Sequence, residues 1–478
     1  MKEPLVHNQP FAVRYDWLYW TLTLGVALLF LALLWITGNI MYVLAGFAAL
    51  LALGVSGKPH IRLFVLIGLM PLAHAGFGTA SFGGFGLFDI YAAVFIFFFL
   101  WRIVILQGME IGKIPVLPLS LLMLAAFIPS IINSSALLES LKALVQLFGS
   151  ILISAGVYYY LRTYYSSSFL LALIKTFVIV AMLVSLYGIF ETYASRSIFQ
   201  VLVGRAYFSL FQDVNYYASY LLMALALGGG LLFLVVRRAE RLFLIGGALV
   251  LVVTIIATVS RSALLVLLLL VIGFVAFVFQ YQQGSRKFIG PMILITFLSL
   301  ISLLLFTDAG GKMIDLFTLS RRVESVVSGK DASLDQRMTI FDVTQRMIES
   351  HPVLGVGFGA FEKTFNSYQG SNLSTGFGRS AHNTALRILA ETGILGMVPA
   401  LLFVGFLIWY MVVAVQKARR SEEKTLIFSL SISLGSFLFM SLTLDQMFEP
   451  HFWIGLGITL VVAERLHHGE TVLTQKEV

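Results

Sequence analysis

Long apolar segments recur along the chain and dominate its pattern. A membrane-spanning helix needs about 20 consecutive, mostly apolar residues, and runs of this kind appear from near the N-terminus to near the C-terminus. The sequence therefore predicts an all-α polytopic membrane protein with about 12–14 transmembrane helices, three of the spans being short. The 14 predicted spans are 17–37, 40–56, 61–76, 86–107, 116–133, 136–161, 167–194, 214–236, 242–259, 261–280, 288–306, 384–415, 425–444 and 449–465.

Composition supports the membrane prediction. Of the 478 residues, 59% are hydrophobic and only 12% are charged, whereas soluble domains carry about 25% charged residues. No short apolar run with a small-residue cleavage site precedes the first span, so we expect no removable signal peptide. The chain has no cysteine, which excludes disulfide and thiolate chemistry. Its net charge of +8 indicates basic cytoplasmic loops, and no nucleic-acid partner is expected.

The short connections between spans predict the orientation in the membrane. If the N-terminus is cytoplasmic, the outer short segments hold only Arg196, Arg205 and Arg261. The inner connections then hold 14 basic residues, which are Lys58, Arg62, Arg102, Lys113, Arg162, Arg237, Arg238, Arg241, Arg286, Lys287, Lys417, Arg419, Arg420 and Lys424. Because Lys and Arg concentrate in cytoplasmic loops, both termini are predicted to lie inside. The predicted organisation is helices 1–11 in residues 1–306, an external loop in 307–383, and helices 12–14 with a cytoplasmic tail in 384–478.

The long external loop contains two amphipathic stretches. One runs from Lys312 to Val327. The other runs from Arg337 to Ser350 and is predicted to place five apolar residues on one face: Ile340, Phe341, Val343, Met347 and Ile348. Helices of this kind lie on a bilayer or cap a bundle. The glycine-rich segment 351–359 ends the second helix, and its glycines fit either close backbone packing or, on weaker grounds, a phosphate cradle.

Four residues stand at outward-facing helix starts or in the outer loop before one: Arg205, Arg261, Arg337 and His382. A helix N-terminus carries partial positive charge, so a cation there is unfavourable unless an anion binds. The three arginines therefore predict an anion site. The same dipole favours the neutral imidazole that a general base requires, which makes His382 the candidate base.

Simpler interpretations of these four residues remain open. Arg205 can be a solvated or headgroup-contacting residue, Arg261 can lie at a membrane edge without binding anything, and Arg337 can pair with a nearby carboxylate. His382 can be structural. The chain has neither a metal-binding His-Glu-x-x-His motif nor a Walker loop, so neither metal nor nucleotide chemistry is indicated.

Three motifs resemble the O-antigen ligase and O-antigen polymerase (Wzy-type) superfamily of bacterial envelope glycosyltransferases. They are S-R at 260–261, the Arg337 helix that runs into H-P-V-L-G-V-G, and A-H-N-x-x-L-x-x-x-A-E-x-G-I-L-G from Ala381. The resemblance extends over roughly 205–396. The chain departs from the family where Phe341 replaces a frequent Trp, and where D-V-N at 213–215 replaces a frequent N-P-N.

The resemblance implies a fold similar to GT-C glycosyltransferases and a site at the outer face of the bacterial inner membrane. It implies that Arg261 and Arg337 bind the diphosphate of an undecaprenyl-diphosphate-linked glycan donor. It also implies that His382 acts on the acceptor. Arg205 is a further candidate for diphosphate binding because of its position in the outer loop before a helix. Residues of secondary importance are predicted to be Asp213, Asn215, Asn383 and Glu391.

The expected activity is transfer or polymerisation of the glycan onto an acceptor sugar hydroxyl, on lipid A core or on a second lipid-linked repeat. The expected reaction is inverting and independent of metal, and no cofactor is expected. The alternative is a transporter or flippase for an anionic lipid or solute, because many spans and intramembrane arginines are also typical of that class.

Overall fold

The computed structural model describes residues 59–73, 86–106, 114–194, 210–211, 213–235, 237–258, 260–281, 332–369 and 380–474. Thirteen α-helices lie within them. They are α1 (Pro59–Leu69), α2 (Leu87–Leu106), α3 (Leu117–Phe127), α4 (Leu137–Thr163), α5 (Ser167–Ala194), α6 (Val214–Leu234), α7 (Arg238–Ala257), α8 (Arg261–Tyr281), α9 (Ala332–Ser350), α10 (Phe361–Tyr368), α11 (Thr384–Lys417), α12 (Ser421–Met440) and α13 (Pro450–His467). Short 3₁₀ segments extend α1 and α3.

The all-α polytopic prediction is confirmed. Within the described residues, seven helices are long and apolar enough to cross a membrane, namely α4 to α8, α11 and α12. The spans predicted at 61–76 and 116–133 are short helices with 3₁₀ extensions. The spans at 17–37, 40–56 and 288–306 lie outside the described residues, and so do Arg205 and the stretch from Lys312 to Val327.

Two helices form the interior of the bundle. Helix α6 packs against α5, α7, α8 and α12, and 83% of its most apolar 18-residue stretch is buried. Helix α13 packs against α4, α11 and α12 and is buried along nearly its whole length. The most apolar 18-residue stretches of α7, α8 and α11 are only 28%, 39% and 33% buried. Because these three helices are strongly apolar, their exposed sides match a lipid environment.

Helix α11 is interrupted close to its N-terminus. Its 34 residues span about 50 Å at 1.5 Å per residue, which exceeds the roughly 30 Å of a bilayer core. At Gly393 the backbone leaves the helical conformation, with φ 61° and ψ −163°. The break separates a short N-terminal segment, which carries Arg387 and Glu391, from the long apolar segment that follows.

Helices α9 and α10 form a layer over this end of the bundle. The buried face of α9 consists of Ile340, Val343 and Met347, and it belongs to a small apolar cluster with residues of α10 and α11. Phe341 was predicted on this face, but the structure leaves it 50% exposed. The buried residues follow a spacing of three and four, and Phe341 lies one position, about 100°, away from Ile340.

Candidate functional site

His382 immediately precedes α11 in a strained backbone conformation. Its φ of 50° makes it the one non-glycine residue with positive φ in the described part of the chain, and such conformations persist only where the surroundings impose them. Asn383 caps α11 by accepting a hydrogen bond from Leu386 N at 3.0 Å, and it donates to Leu442 O at 3.0 Å. Asn383 therefore has a capping role that fixes where the helix begins beside His382.

Charges of both signs surround the imidazole. Burial and the nearby guanidinium of Arg337 lower the pKa of His382 below its ordinary value, and the carboxylates of Asp445 and Asp213 act in the opposite direction without cancelling that effect. A histidine with a lowered pKa is mainly neutral at pH 7, because its ordinary value is about 6.5. The structure therefore brings Arg337, Asp213 and His382 into one neighbourhood and adds Asp445 to them.

Asp445 was absent from the predicted site, although its location in a short polar turn between two apolar spans was a usable signal. It lies in the α12–α13 turn, residues 441–449. Its Oδ2 atom accepts a hydrogen bond from the Ser380 hydroxyl and lies 3.9 Å from Arg387 Nη1. Its side chain is 3% exposed, so the charge is held inside the protein.

Asp213 and Asn215 open α6 at the same end of the bundle. Asp213 caps the helix, and its Oδ1 accepts a hydrogen bond from Asn215 N at 2.6 Å. Tyr216 follows and donates its hydroxyl to the backbone oxygen of Asp445 at 2.9 Å. These contacts place the start of α6 beside the α12–α13 turn.

Glu391 forms an ion pair with Arg387, four residues earlier on α11. The Nε atom of Arg387 lies 3.1 Å from Glu391 Oε1, and the carboxylate is 1% exposed. The same oxygen accepts a hydrogen bond from Phe361 N at 3.0 Å. Because a buried carboxylate requires such partners, Glu391 ties α11 to the first residue of α10. This geometry fits an orienting role for Glu391 better than a role as a base.

The glycine loop, defined as residues 351–360, packs against the break in α11. An unbroken helix would join Ala390 O to Ile394 N and Glu391 O to Leu395 N. Instead the loop supplies the partners at 2.9 to 3.2 Å, in four bonds: Val356 N to Ala390 O, Gly357 N to Glu391 O, Ile394 N to Pro352 O and Leu395 N to Val353 O.

This packing decides between the two interpretations of the glycines. The Val356 and Gly357 amides donate to α11, and the amide of Phe358 donates to Ser130 Oγ at 2.9 Å. Gly355 has φ +69°, and a Cβ there would lie 2.2 Å from the carbonyl carbon of Glu391. The glycines thus permit close backbone packing, and these three amides are not directed at a phosphate.

The two arginines that lie within the described residues occupy different positions. Arg261 is the first residue of α8, as predicted, and the Ser260 hydroxyl caps that helix by accepting from Ala263 N at 3.3 Å. Arg337 was predicted in a first helical turn, but α9 begins at Ala332 and Arg337 lies in the second turn. The macrodipole argument weakens there, because the effect fades beyond the first turn. Both side chains are exposed.

The arrangement places an imidazole with a lowered pKa near guanidinium and carboxylate groups. His382 can accept a proton, two carboxylates lie close enough to influence it, and Arg337 exposes a guanidinium on the same side. Arg261 begins α8, which packs on α6 and α12, so its place in the fold lies beside the helices that carry Asp213 and the α12–α13 turn. Such a site can deprotonate a hydroxyl next to a bound anion.

Part of the chain matches a known protein family. A model of the O-antigen ligase family matches residues 246–401. No curated protein matches the chain. The matched segment contains Arg261, Arg337 and His382, and Asp213 precedes it. Residues 246–401, about a third of the chain, are therefore similar to the O-antigen ligase family.

Proposed function

We propose that this protein transfers a glycan from an undecaprenyl-diphosphate-linked donor to a sugar hydroxyl at the outer face of the bacterial inner membrane. The observation that carries the proposal is the position of His382, which has a strained backbone next to the start of α11 and lies near Arg337, Asp213 and Asp445 at one end of the bundle. The family match over 246–401 supports glycan transfer as the reaction class.

On the donor side, Arg261 and Arg337 bind the diphosphate. A guanidinium presents a planar fork that matches phosphate oxygens, and it stabilises the charge that develops as the diphosphate leaves. Arg205 is a third candidate for this role and lies outside the described residues. The exposed position of Arg261 and Arg337 suits a large amphiphilic ligand that approaches from the membrane surface.

On the acceptor side, His382 is the general base. The acceptor hydroxyl attacks the anomeric carbon of the donor sugar and forms a new carbon–oxygen bond, and its proton passes to the imidazole. The bond between the anomeric carbon and the phosphate oxygen breaks, and undecaprenyl diphosphate leaves with the bonding electrons. A single displacement of this kind inverts the anomeric configuration.

The alternative of a transporter or flippase fits the placement of polar groups less well. Transporters of the known folds bind substrate near the bilayer midplane, between interrupted helices. Here the polar groups gather where α6, α8 and α11 begin and where α12 joins α13. The break at Gly393 is filled by the glycine loop rather than open to a central cavity.

The test is a transfer assay with purified protein in lipid, using an undecaprenyl-diphosphate-linked glycan and two acceptors in parallel. Lipid A core as acceptor tests ligation, and a second lipid-linked glycan tests polymerisation. Release of undecaprenyl diphosphate is expected to equal glycan transferred. Removing a general base costs about 10²–10⁴ in rate, so His382→Ala is expected to lose most transfer while donor binding persists.

Further measurements test the donor-binding role of Arg261, the transporter alternative and the assignment of the base. Arg261→Lys is expected to lose transfer, because lysine cannot replace a bidentate fork. Proteoliposomes that move a labelled donor across the bilayer without transferring glycan would favour the flippase. Transfer by His382→Ala above about a tenth of the wild-type rate would place the base elsewhere.

A further inference from the structure

The two oxygens of the Asp445 carboxylate have different surroundings. Oδ2 accepts the Ser380 hydroxyl and faces Arg387. Oδ1 is fully buried and has no hydrogen-bond partner among the described residues. A buried acceptor left unbonded costs about 1–3 kcal/mol, and more when it is charged. A buried oxygen without a hydrogen-bond partner, on a carboxylate whose charge influences the candidate base, requires an explanation.

The chain holds this carboxylate rigidly against the segment that carries His382. Thr384 makes three hydrogen bonds to the α12–α13 turn. Its backbone N–H donates to Ser441 O at 2.8 Å. Its hydroxyl donates to Leu444 O at 2.6 Å and accepts from Gln446 N at 3.2 Å. Ser380 adds its bond to Asp445 on the other side of His382. The α12–α13 turn and the residues around His382 therefore form one unit.

A histidine base needs an acceptor for its second ring nitrogen. A neutral imidazole has one N–H donor and one bare nitrogen. If the bare nitrogen takes a proton from a hydroxyl, the N–H on the other side requires a fixed acceptor to orient the ring and to stabilise the imidazolium that forms. The strained backbone at His382 shows that the protein imposes a specific placement on this residue.

We infer that Asp445 is the positioning residue for His382, with Asp445 Oδ1 accepting the imidazole N–H so that the opposite ring nitrogen faces the acceptor hydroxyl. The inference rests on the proposed function, since it assigns a partner to the base of that reaction. During the step the proton moves from the hydroxyl to the imidazole, and Asp445 stays ionised.

Other charged groups around His382 are less suited to this role. Asp213, at the start of α6, has its Oδ1 bonded to Asn215 N. Arg337 on α9 and Arg387 on α11 are cations and cannot accept an N–H. Glu391, farther along α11, is bonded to Arg387 and Phe361 N. Asp445 alone among these carries a buried oxygen without a partner in the described structure.

The test is the pH profile of kcat/KM for the acceptor in wild type, Asp445→Asn and Glu362→Gln. An opposite charge within about 4–6 Å shifts a pKa by about 1–3 units. Loss of the Asp445 charge destabilises the imidazolium, so the pKa of His382 falls and the acidic limb moves to lower pH by roughly 1 unit. The plateau is expected to fall on the order of 10²-fold, because the ring loses its orientation.

Glu362→Gln is the matched control. It neutralises an exposed carboxylate on α10, at the same end of the protein, and is expected to reproduce the wild-type profile. A role for Asp445 in folding alone would lower the amount of active protein and the plateau without moving the limb. An unmoved limb in Asp445→Asn, or a limb displaced to higher pH, overturns the inference.

Two further measurements keep the outcome interpretable. If Asp445→Asn does not accumulate in membranes, Asp445→Ser removes the charge without placing an amide NH₂ against Arg387, and the same limb shift is expected. His382→Ala runs in the same assay. Absence of transfer by the wild-type protein contradicts the proposed function itself, and full transfer by His382→Ala contradicts the assignment of the base. Loss of transfer in His382→Ala with an unmoved limb in Asp445→Asn contradicts only the role of Asp445.

Discussion

At the scale of single residues, the protonation of His382 is set by opposing influences. Burial and Arg337 favour the neutral ring, whereas Asp445 and Asp213 favour the imidazolium, and the pKa of His382 ends below its ordinary value. A base of this kind is neutral before the reaction, yet carboxylates near it stabilise the charge that it gains during proton transfer. The same charge effects predict how the loss of each neighbouring charge shifts the pH dependence of glycan transfer.

Replacing Arg337 with Gln is expected to move the acidic limb of transfer to higher pH. The guanidinium lowers the pKa of His382, so its loss lets that pKa rise, and a larger fraction of the base is protonated at mildly acidic pH. Because Arg337 is exposed, solvent screens it and the shift is expected to stay below about 1 unit at low salt.

Arg346→Gln is the matched control for this experiment. It removes an exposed arginine from the same helix, and the wild-type limb is expected because Arg346 bonds to Tyr368 O at 3.1 Å, away from His382. Donor binding, measured beside the rates, is expected to weaken in Arg337→Gln. A limb that moves to lower pH in this variant would contradict the assigned electrostatics.

Two ion pairs on helices allow a matched comparison of buried and exposed charge. Glu391 is 1% exposed and pairs with Arg387 at 3.1 Å, whereas Glu139 is 36% exposed and pairs with Lys142 at 3.4 Å. Breaking a buried pair costs about 3–5 kcal/mol, because it leaves a charge without its partner. Exposed pairs contribute about 0–1 kcal/mol.

Thermal unfolding in detergent checks this expectation. Glu391→Ala is expected to lower the melting temperature strongly and to release α10 from α11. Glu139→Ala is expected to leave the melting temperature close to that of wild type. If the two substitutions lowered the melting temperature equally, burial would not determine how much the Glu391–Arg387 pair contributes to stability.

At the scale of elements, the glycine loop and the break in α11 depend on each other. The loop donates to and accepts from the backbone groups that the break at Gly393 frees. Both partners require positive φ, at Gly355 and at Gly393, and a side chain at either would collide with backbone of the other segment. The interlock holds the layer of α9 and α10 over the start of α11.

Gly355→Ala tests this interlock, and Gly405→Ala is its control. At Gly355 a Cβ would lie 2.2 Å from backbone, and φ is +69°. At Gly405, farther along α11, nothing lies within 4 Å of the added Cβ. Gly355→Ala is expected to lower both melting temperature and transfer. Gly405→Ala is expected to be neutral or slightly stabilising, since alanine favours helix by about 1 kcal/mol. A Gly355→Ala protein as stable as wild type would argue against the interlock.

Elements defined by apolar runs were predictable from the sequence. The span predicted at 214–236 is α6, Val214–Leu234, and the one at 384–415 is α11, Thr384–Lys417. Helix α12 was predicted four residues too late, at 425–444. The apolar run extends into the turn after Met440, while the polar first turn of α12 is already helical. Periodicity identifies a helix more reliably than it identifies the end of one.

The details of the site were less predictable, because they depend on contacts between distant segments. Arg261 and His382 could be found because they are polar residues at the edges of apolar runs. Asp445 meets Ser380 across 65 residues of sequence, and no local pattern encodes that contact. The break at Gly393 also depends on a loop that lies about 40 residues earlier. Tertiary contacts of this kind override local propensity.

At the scale of the whole molecule, the candidate site lies at one end of the bundle. Helices α6, α8 and α11 begin there, and α12 passes into α13 there. The distribution of basic residues predicts that this end faces outward. The side of the membrane remains a prediction, and it determines whether the protein can use a donor presented outside the cell membrane.

Two cysteine substitutions in this cysteine-free chain test the orientation. Ser367→Cys lies on the exposed surface of α10, and Arg419→Cys lies in the exposed connection between α11 and α12. Helix α11 lies between the two positions along the chain, so a single crossing by α11 would put them on opposite sides of the membrane. An impermeant thiol reagent on intact spheroplasts is expected to label position 367 and spare position 419. The reverse pattern would invert the topology.

The interlock between the glycine loop and α11 also bears on the order in which the chain is built. The loop leaves the ribosome before Ala390 and Glu391, the residues whose carbonyl oxygens its amides require, and buried backbone groups need such partners. The backbone hydrogen bonds between the loop and α11 can therefore form only after this part of α11 has been synthesised and inserted. The α12–α13 turn, which places Asp445 beside His382, is made later still. The proposed reaction therefore becomes possible only after the α12–α13 turn has been synthesised.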